Sequence, residues 1–247
     1  MALATLVAGW SLLAAPGGAA PPALSNDQQA QIQAIVRQYI AAHPEVIEQA
    51  LVAHPEMVEK ATQTLEARRA WARYQKIAAD PRQFSIGPKD AKIGIVEFFD
   101  YRCPHCKDAL AWTMDKVRTR RDVRVIFVEY PILSPQSLEA SQAALASMKQ
   151  GRYLAFHQAL MASRSTLESK DIDALARQSG IDVLRMRRDM KDRSLMALLQ
   201  DNQDTAAASK VEGTPAYIIN GKFFYGYQPA ELDQGLRQAT ANARGKV

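Results

Sequence analysis

The chain has almost no cysteine: Cys103 and Cys106 are the only two among 247 residues. A scaffold stapled by several disulfides is therefore excluded, and so is a four-cysteine zinc site. Histidine is nearly as sparse. His43, His54, His105 and His157 lie without the spacing of metal ligands, so no metal centre of the usual kind is expected. Residues 1–26 carry no charged side chain, yet the apolar stretch from Leu3 to Ala15 is too short to span a membrane. Neither sign of charge dominates: 31 basic residues face 26 acidic ones, a net charge of +5. The densest basic run, Arg185 to Arg193, is interrupted by Asp189 and Asp192, as on the solvated face of a helix. No nucleic-acid motif is present, and nucleic acid is not expected as a partner. Hydrophobic content of 47% and charged content of 23% suit an ordinary globular protein.

Against that sparseness, the placement of the two cysteines is informative. They form Cys103-Pro104-His105-Cys106. The run Ile93 to Phe99 before them reads as a buried strand, and Lys107 to Arg120 after them reads as a helix with Leu110, Met114 and Val117 on one face. A Cys-x-x-Cys pair where a strand gives way to a helix is the arrangement of a redox-active disulfide. The helix N-terminus favours negative charge and hence a thiolate at Cys103, and Cys106 is near enough to resolve a mixed disulfide. A structural zinc site would need a second pair, and a structural disulfide closing so short a loop would gain little.

The uncharged leader, with small residues from Pro16 to Ala20, is similar to a secretory signal over residues 1–22, although the basic start of such a signal is missing. The alternative is an unstructured Ala/Gly/Pro tail. Export would suit a disulfide-handling protein. Residues 23–78 read as a helical arm. Ile32, Ile35, Val36, Tyr39 and Ile40 follow helical spacing, and an eleven-residue unit then repeats, Ala41 to Leu51 and Val52 to Thr62. Each copy holds His-Pro-Glu, which suits a helix start and a break just before it. His43 and His54 are expected to mark helix boundaries. The apolar stripe must lie on the arm's own domain or on another copy of the chain.

Residues 79–247 read as an α/β domain. Phe84 to Ile86 is a short edge strand, 92–99 a central strand, 104–120 a helix and Val123 to Tyr130 a second strand, which together imply a right-handed parallel crossover. About 135–210 carries helical patterns only. Ala216 to Ile219 and Lys222 to Tyr225 flank Asn220-Gly221, a hairpin signal, and 229–241 closes as a helix.

Three features in this order resemble the thioredoxin superfamily, and within it the DsbA-like proteins: Glu97 to Cys106, the loop Gly213-Thr214-Pro215-Ala216-Tyr217, and the helical block between them. The Pro-broken arm is similar to that of the ScsC-like subgroup. The resemblance implies a thioredoxin fold with an inserted helical domain, preceded by an N-terminal helical arm. It also implies roles: Cys103 as nucleophile, Cys106 as resolving thiol, His105 as a stabiliser of the thiolate, and Glu97 as a buried carboxylate relaying a proton for Cys106. Thr214 and Pro215 would form the cis-proline loop that pairs with an extended substrate. The implied protein is periplasmic or otherwise exported, most plausibly a homotrimer, and uses no cofactor. Its partners would be exported cysteine-containing proteins and a membrane redox protein, either a DsbB-like oxidant or a DsbD-like reductant. Oxidase and isomerase directions both stay open. So do two alternatives: Cu(I) held by Cys103 and Cys106, and a chaperone role for the arm.

Overall fold

The structure, a computed structural model, describes residues 24–244; the 1–22 leader read as a signal lies outside them. The chain divides into two compact units, the first closing at Glu59 and the second opening at Lys60.

The first unit holds α1 (Asn26–Ala42), α2 (Glu45–Ala53) and the first residues of α3 (Pro55–Ala79). Ser25 caps α1: its hydroxyl accepts from the Gln28 N–H, and the Gln28 side chain accepts from the Ser25 N–H. The two His-Pro-Glu units act alike. His43 ends α1 and His54 ends α2, because a residue before proline is pushed out of the helical region. Each ring then pairs through Nδ1 with the following glutamate, His43 with Glu45 at 2.9 Å and His54 with Glu56 at 3.2 Å. No residue of α1 or α2 is buried. Ile35, Tyr39, Ile47, Val52 and Met57 are all exposed.

The second unit is built on a five-stranded sheet: β1 (Phe84–Ile86), β2 (Ile93–Phe99), β3 (Val123–Glu129), β4 (Ala216–Ile219) and β5 (Lys222–Tyr225), in the order β1-β3-β2-β4-β5. The β2–β3 pair is parallel and is joined by α4 (Pro104–Thr119); the other pairs are antiparallel. The expected insertion follows β3 as α5 (Pro135–Ser147), α6 (Tyr153–Ala162), α7 (Ser169–Gln178), α8 (Val183–Asp189) and α9 (Arg193–Ala208). α10 (Pro229–Arg244) ends the described chain. In the β4–β5 turn, Asn220 and Gly221 both take positive φ, 43° and 86°, as a two-residue hairpin turn requires. The fold is the expected α/β thioredoxin fold with a helical insertion.

β2 is buried at every position, and both of its faces need cover. Ile93, Ile95 and Phe99 pack with Ala109 and Trp112 of α4 and with the insertion. Val96 and Phe98, with Ile126, Val128 and Ile218, pack under Ala70, Tyr74 and Ile77 of α3. The approach is so close that a Cβ on Gly94 would overlap the Tyr74 ring and hydroxyl. The boundary between units therefore falls inside the 23–78 segment read as one arm. Helical spacing marks an apolar face but not the surface it meets, and here the second half of α3 meets the sheet.

Candidate active site

Strand β2 delivers the chain to Asp100, whose side chain fixes the turn. Its Oδ1 accepts from the Arg102 N–H (2.7 Å) and the Ser137 hydroxyl (2.7 Å), and its Oδ2 from the N–H groups of Ile132 and Leu133 (2.9 and 3.0 Å). The Asp100 carbonyl accepts from the Cys103 N–H at 3.1 Å. This holds Cys103 as the N-cap of α4, with Pro104 in the first turn, where a missing N–H costs nothing.

Both cysteines are free thiols, Cys103 5% and Cys106 1% exposed. Their environments push them apart. Hydrogen bonding with the Cys106 thiol is the main cause that brings Cys103 down to about 6, with help from the Thr214 side chain and the N–H groups of Cys106 and His105, against the upward push of burial. Burial drives Cys106 far upward, and the neighbouring Cys103 adds to it. Two chemically identical groups are thus made unequal, the outer thiol lowered and the inner one raised. The Cys103 Sγ–H donates to the Thr214 carbonyl at 3.1 Å, and the Thr214–Pro215 peptide is cis. The Thr214 Oγ1 is buried without a nitrogen or oxygen partner, and this side chain lowers both thiols.

On β2, Glu97 is buried at 3% exposure. Desolvation raises its carboxyl to about 7, opposed by hydrogen bonds from the hydroxyls of Thr113 (2.9 Å) and Tyr217 (3.1 Å). The Tyr217 phenol is itself raised, first by burial, then by the charge of Glu97, and it also feels Cys106. Tyr217 links the carboxylate to the inner thiol electrostatically.

The structure thus gathers Cys103, Cys106, Thr214 and Pro215 at the start of α4, while Glu97 meets the same helix farther along, at Thr113. The His105 side chain is exposed, and what it brings to Cys103 is its backbone N–H. Sequence reasoning missed Asp100, Thr113 and Tyr217. Tyr217 lies in the loop motif and pairs directly across from Glu97 in the β2–β4 register, a relation visible only once the strands are paired. It also missed another buried carboxylate, Glu129. Glu129 accepts from Tyr101 (2.9 Å), Tyr153 (2.7 Å) and Ser141 (2.7 Å). Burial lifts it to about 8. His157 lies against Tyr101 at 3.1 Å, its ring pushed down to about 3 by burial. Among the described residues no group of three or more His, Cys, Asp or Glu side chains is placed to hold a metal ion.

Comparison with known proteins agrees with this geometry. A family model described as thioredoxin matches residues 79–236, and one described as the copper resistance protein ScsC N-terminal domain matches 28–53. A thioredoxin-like oxidoreductase from Silicibacter pomeroyi DSS-3 is 31% identical, over 67% of this chain and 96% of its own, with a TM-score of 0.64. Proteus mirabilis ScsC in a transitional conformation is 28% identical, over 89% of this chain and all of its own (100%), with a TM-score of 0.64. Among curated relatives, the Na(+)/H(+) antiporter NhaA 3 of Salinispora tropica is 29% identical over 172 residues, 68% of this chain but 26% of the antiporter. The chain spans about a quarter of the length of the curated relatives it matches. Among the described residues no helix is long and apolar enough to cross a membrane. The chain belongs to the thioredoxin superfamily, as a DsbA-like protein of the ScsC type.

Proposed function

We propose that this protein is a thiol–disulfide oxidoreductase acting on exported proteins, with Cys103 and Cys106 as its redox pair. The observation that carries this reading is the split between the two thiols at the start of α4, one lowered to about 6 and its neighbour raised.

In the oxidising direction a substrate thiolate attacks Cys103 Sγ in the Cys103–Cys106 disulfide. The S–S bond breaks, Cys106 leaves and takes a proton, and a mixed disulfide joins Cys103 to the substrate. A second substrate thiolate attacks its own sulfur in that bond, and Cys103 leaves as the stable thiolate. The substrate gains a disulfide and the enzyme holds a dithiol. The reverse sequence reduces a disulfide, and attack followed by return to a different pairing reshuffles one. Glu97, raised to about 7, is suited to supply or accept the Cys106 proton near neutral pH, and Tyr217, bonded to Glu97, also feels Cys106. Thr214 and Pro215 flank Cys103 and offer backbone to an extended substrate. A low-pKa first thiol stabilises the dithiol form and so strengthens the oxidant.

The exposed apolar residues of α1 and α2 support an oligomer formed by copies of this arm, a trimer by likeness to ScsC, since short isolated helices need packing partners. Several Cys103 sites on one assembly would favour reshuffling. A membrane oxidant or reductant would reset the pair.

Exchange with a model dithiol and disulfide tests the reading. Cys103→Ser should lose all exchange, and Cys106→Ser should accumulate mixed disulfides; exchange that survives in Cys103→Ser overturns it. A second reading, Cu(I) bridged by the two thiolates, is favoured by the copper-resistance description of the family model over 28–53. It requires binding by the dithiol form and none by the disulfide form.

A further inference from the structure

Within the second unit, a cleft opens on the side of the sheet that α3 covers, walled by α3, by the end of α9 and by the β4–β5 hairpin. Its charge is one-sided. Arg69, Arg73, Lys210 and Lys222 line it, with Glu66 as the one acidic residue of the lining. Two of these cations are held in place. Arg73 donates to the Ala208 carbonyl and lies 6.0 Å from the centre of the Phe223 ring; Lys222 lies 5.2 Å from that of Phe224. Among the described residues, Arg69 and Lys210 engage no carboxylate. Phe223 and Tyr225 stack at 6.2 Å and give the cleft an aromatic wall.

A second hollow is lined by Gly213, Thr214 and Pro215 together with Lys210 and Tyr225, and the last two wall both. The second hollow therefore adjoins the cleft at Lys210 and at Tyr225, whose hydroxyl donates to the Ser209 carbonyl at 3.5 Å, and it reaches Thr214, whose carbonyl the Cys103 thiol touches. Glu212 stands in the near hollow and offsets Lys210 there. The excess of positive charge lies farther from the sulfurs.

We infer that this cleft binds an acidic stretch of the same polypeptide whose cysteine engages Cys103, with uncharged residues beside the cysteine and Asp or Glu beyond. The inference rests on the proposed redox function and names its preferred substrate class. Charge complementarity selects the occupant, and the adjoining hollow at the Thr214 loop selects an extended peptide over a membrane or nucleic acid surface. An extended chain reaches ~3.3 Å per residue, so residues some way from the reacting cysteine are read by the cleft. Such contacts raise the rate of capture more than the final affinity, and salt weakens them.

The test uses the full chain and two disulfide-containing peptides identical except that an acidic tail of glutamates in one is glutamine in the other. The rate of mixed-disulfide formation with Cys103 is followed at low and high salt, and a cysteine-free acidic peptide is titrated by fluorescence anisotropy. The acidic peptide should react about tenfold faster at low salt, with the advantage lost at high salt and in Arg69→Glu/Lys210→Glu. The milder Arg69→Gln/Lys210→Gln pair should lose part of it, which covers a fold disturbed by charge reversal. A small neutral disulfide should react equally with every variant. Equal rates for the two peptides, or an acidic advantage that survives both double variants, overturn the inference. Binding of anionic lipid vesicles through Arg69 and Lys210, with none of the acidic peptide, overturns it in favour of a membrane surface. If the small disulfide fails to react with the unaltered chain while the cysteine-free peptide still binds, the redox reading fails and the cleft stands.

Discussion

Two buried glutamates sit on neighbouring parallel strands and point to the same side of the sheet: Glu97 on β2 pairs with Phe127, and Phe99 pairs with Glu129 on β3. Both are raised by desolvation, Glu97 to about 7 and Glu129 to about 8, and both are held by hydroxyl groups. Their neighbours differ. Glu97 is bonded by Thr113 of α4 and Tyr217 of β4, and Tyr217 senses Cys106. Glu129 is bonded by Tyr101, by Ser141 of α5 and by Tyr153 of α6, so it ties the insertion to the sheet. Burial sets the protonation of both. Under the proposed function, Glu97 serves the chemistry through Tyr217, and Glu129 serves the architecture.

The largest difference should appear in kinetics. Glu97→Gln should slow the steps that protonate or deprotonate Cys106 by about 10²-fold near neutral pH, the low end for general acid–base catalysis, while the Cys103 titration shifts little. Glu129→Gln should leave those steps nearly unchanged. Stopped-flow resolution of a mixed disulfide in the two variants checks this, and equal slowing in both would erase the distinction.

The next difference lies in stability against pH. An unfolded glutamate gives up its proton near ~4.3, whereas folded Glu129 keeps it to about 8. Between those values the folded state holds more protons, so this group's contribution to stability falls as pH rises and levels off above the folded value. Glu129→Gln removes that fall. Its Tm relative to the unaltered chain should improve from about pH 5 to about pH 8, measured by thermal unfolding. A difference in Tm that does not change with pH would count against the assigned protonation.

The smallest effects should come from single hydroxyls. Tyr153→Phe and Ser141→Ala should each cost about 1 kcal/mol, the usual net worth of one hydrogen bond, without changing exchange rates. Denaturant unfolding reads the first and dithiol oxidation the second.

A separate outcome concerns the arm. A shortened chain starting at Lys60 keeps Ala70, Tyr74 and Ile77 over the sheet. It should remain folded, become monomeric by light scattering, and still oxidise dithiols while losing reshuffling. An oligomer that persists would place the interface elsewhere.

The sequence made much of the redox half legible because its signals are local. The strand over 92–99 and the helix over 104–120 appear as Ile93–Phe99 and Pro104–Thr119. The helix breaks at Pro44 and Pro55 and the Asn220-Gly221 turn also appear where spacing placed them. Glu97 was found through the motif around it. Glu129 was not, since a single acidic residue at the end of an apolar strand gives no sign of the three hydroxyls that surround it, supplied from residues 101, 141 and 153. Tyr217 escaped for the same reason, and the division of α3 between two roles escaped because periodicity is silent about partners.

Everything proposed for the site turns on the difference between the two sulfurs, which thiolate absorbance and pH-dependent alkylation, assigned to each cysteine by peptide mapping, read directly in the unaltered dithiol protein. The expected result is a Cys103 thiol half-ionised near 6 and a Cys106 that stays protonated through the neutral range. A Cys103 that ionises at or above the ~8.5 of free cysteine would contradict it.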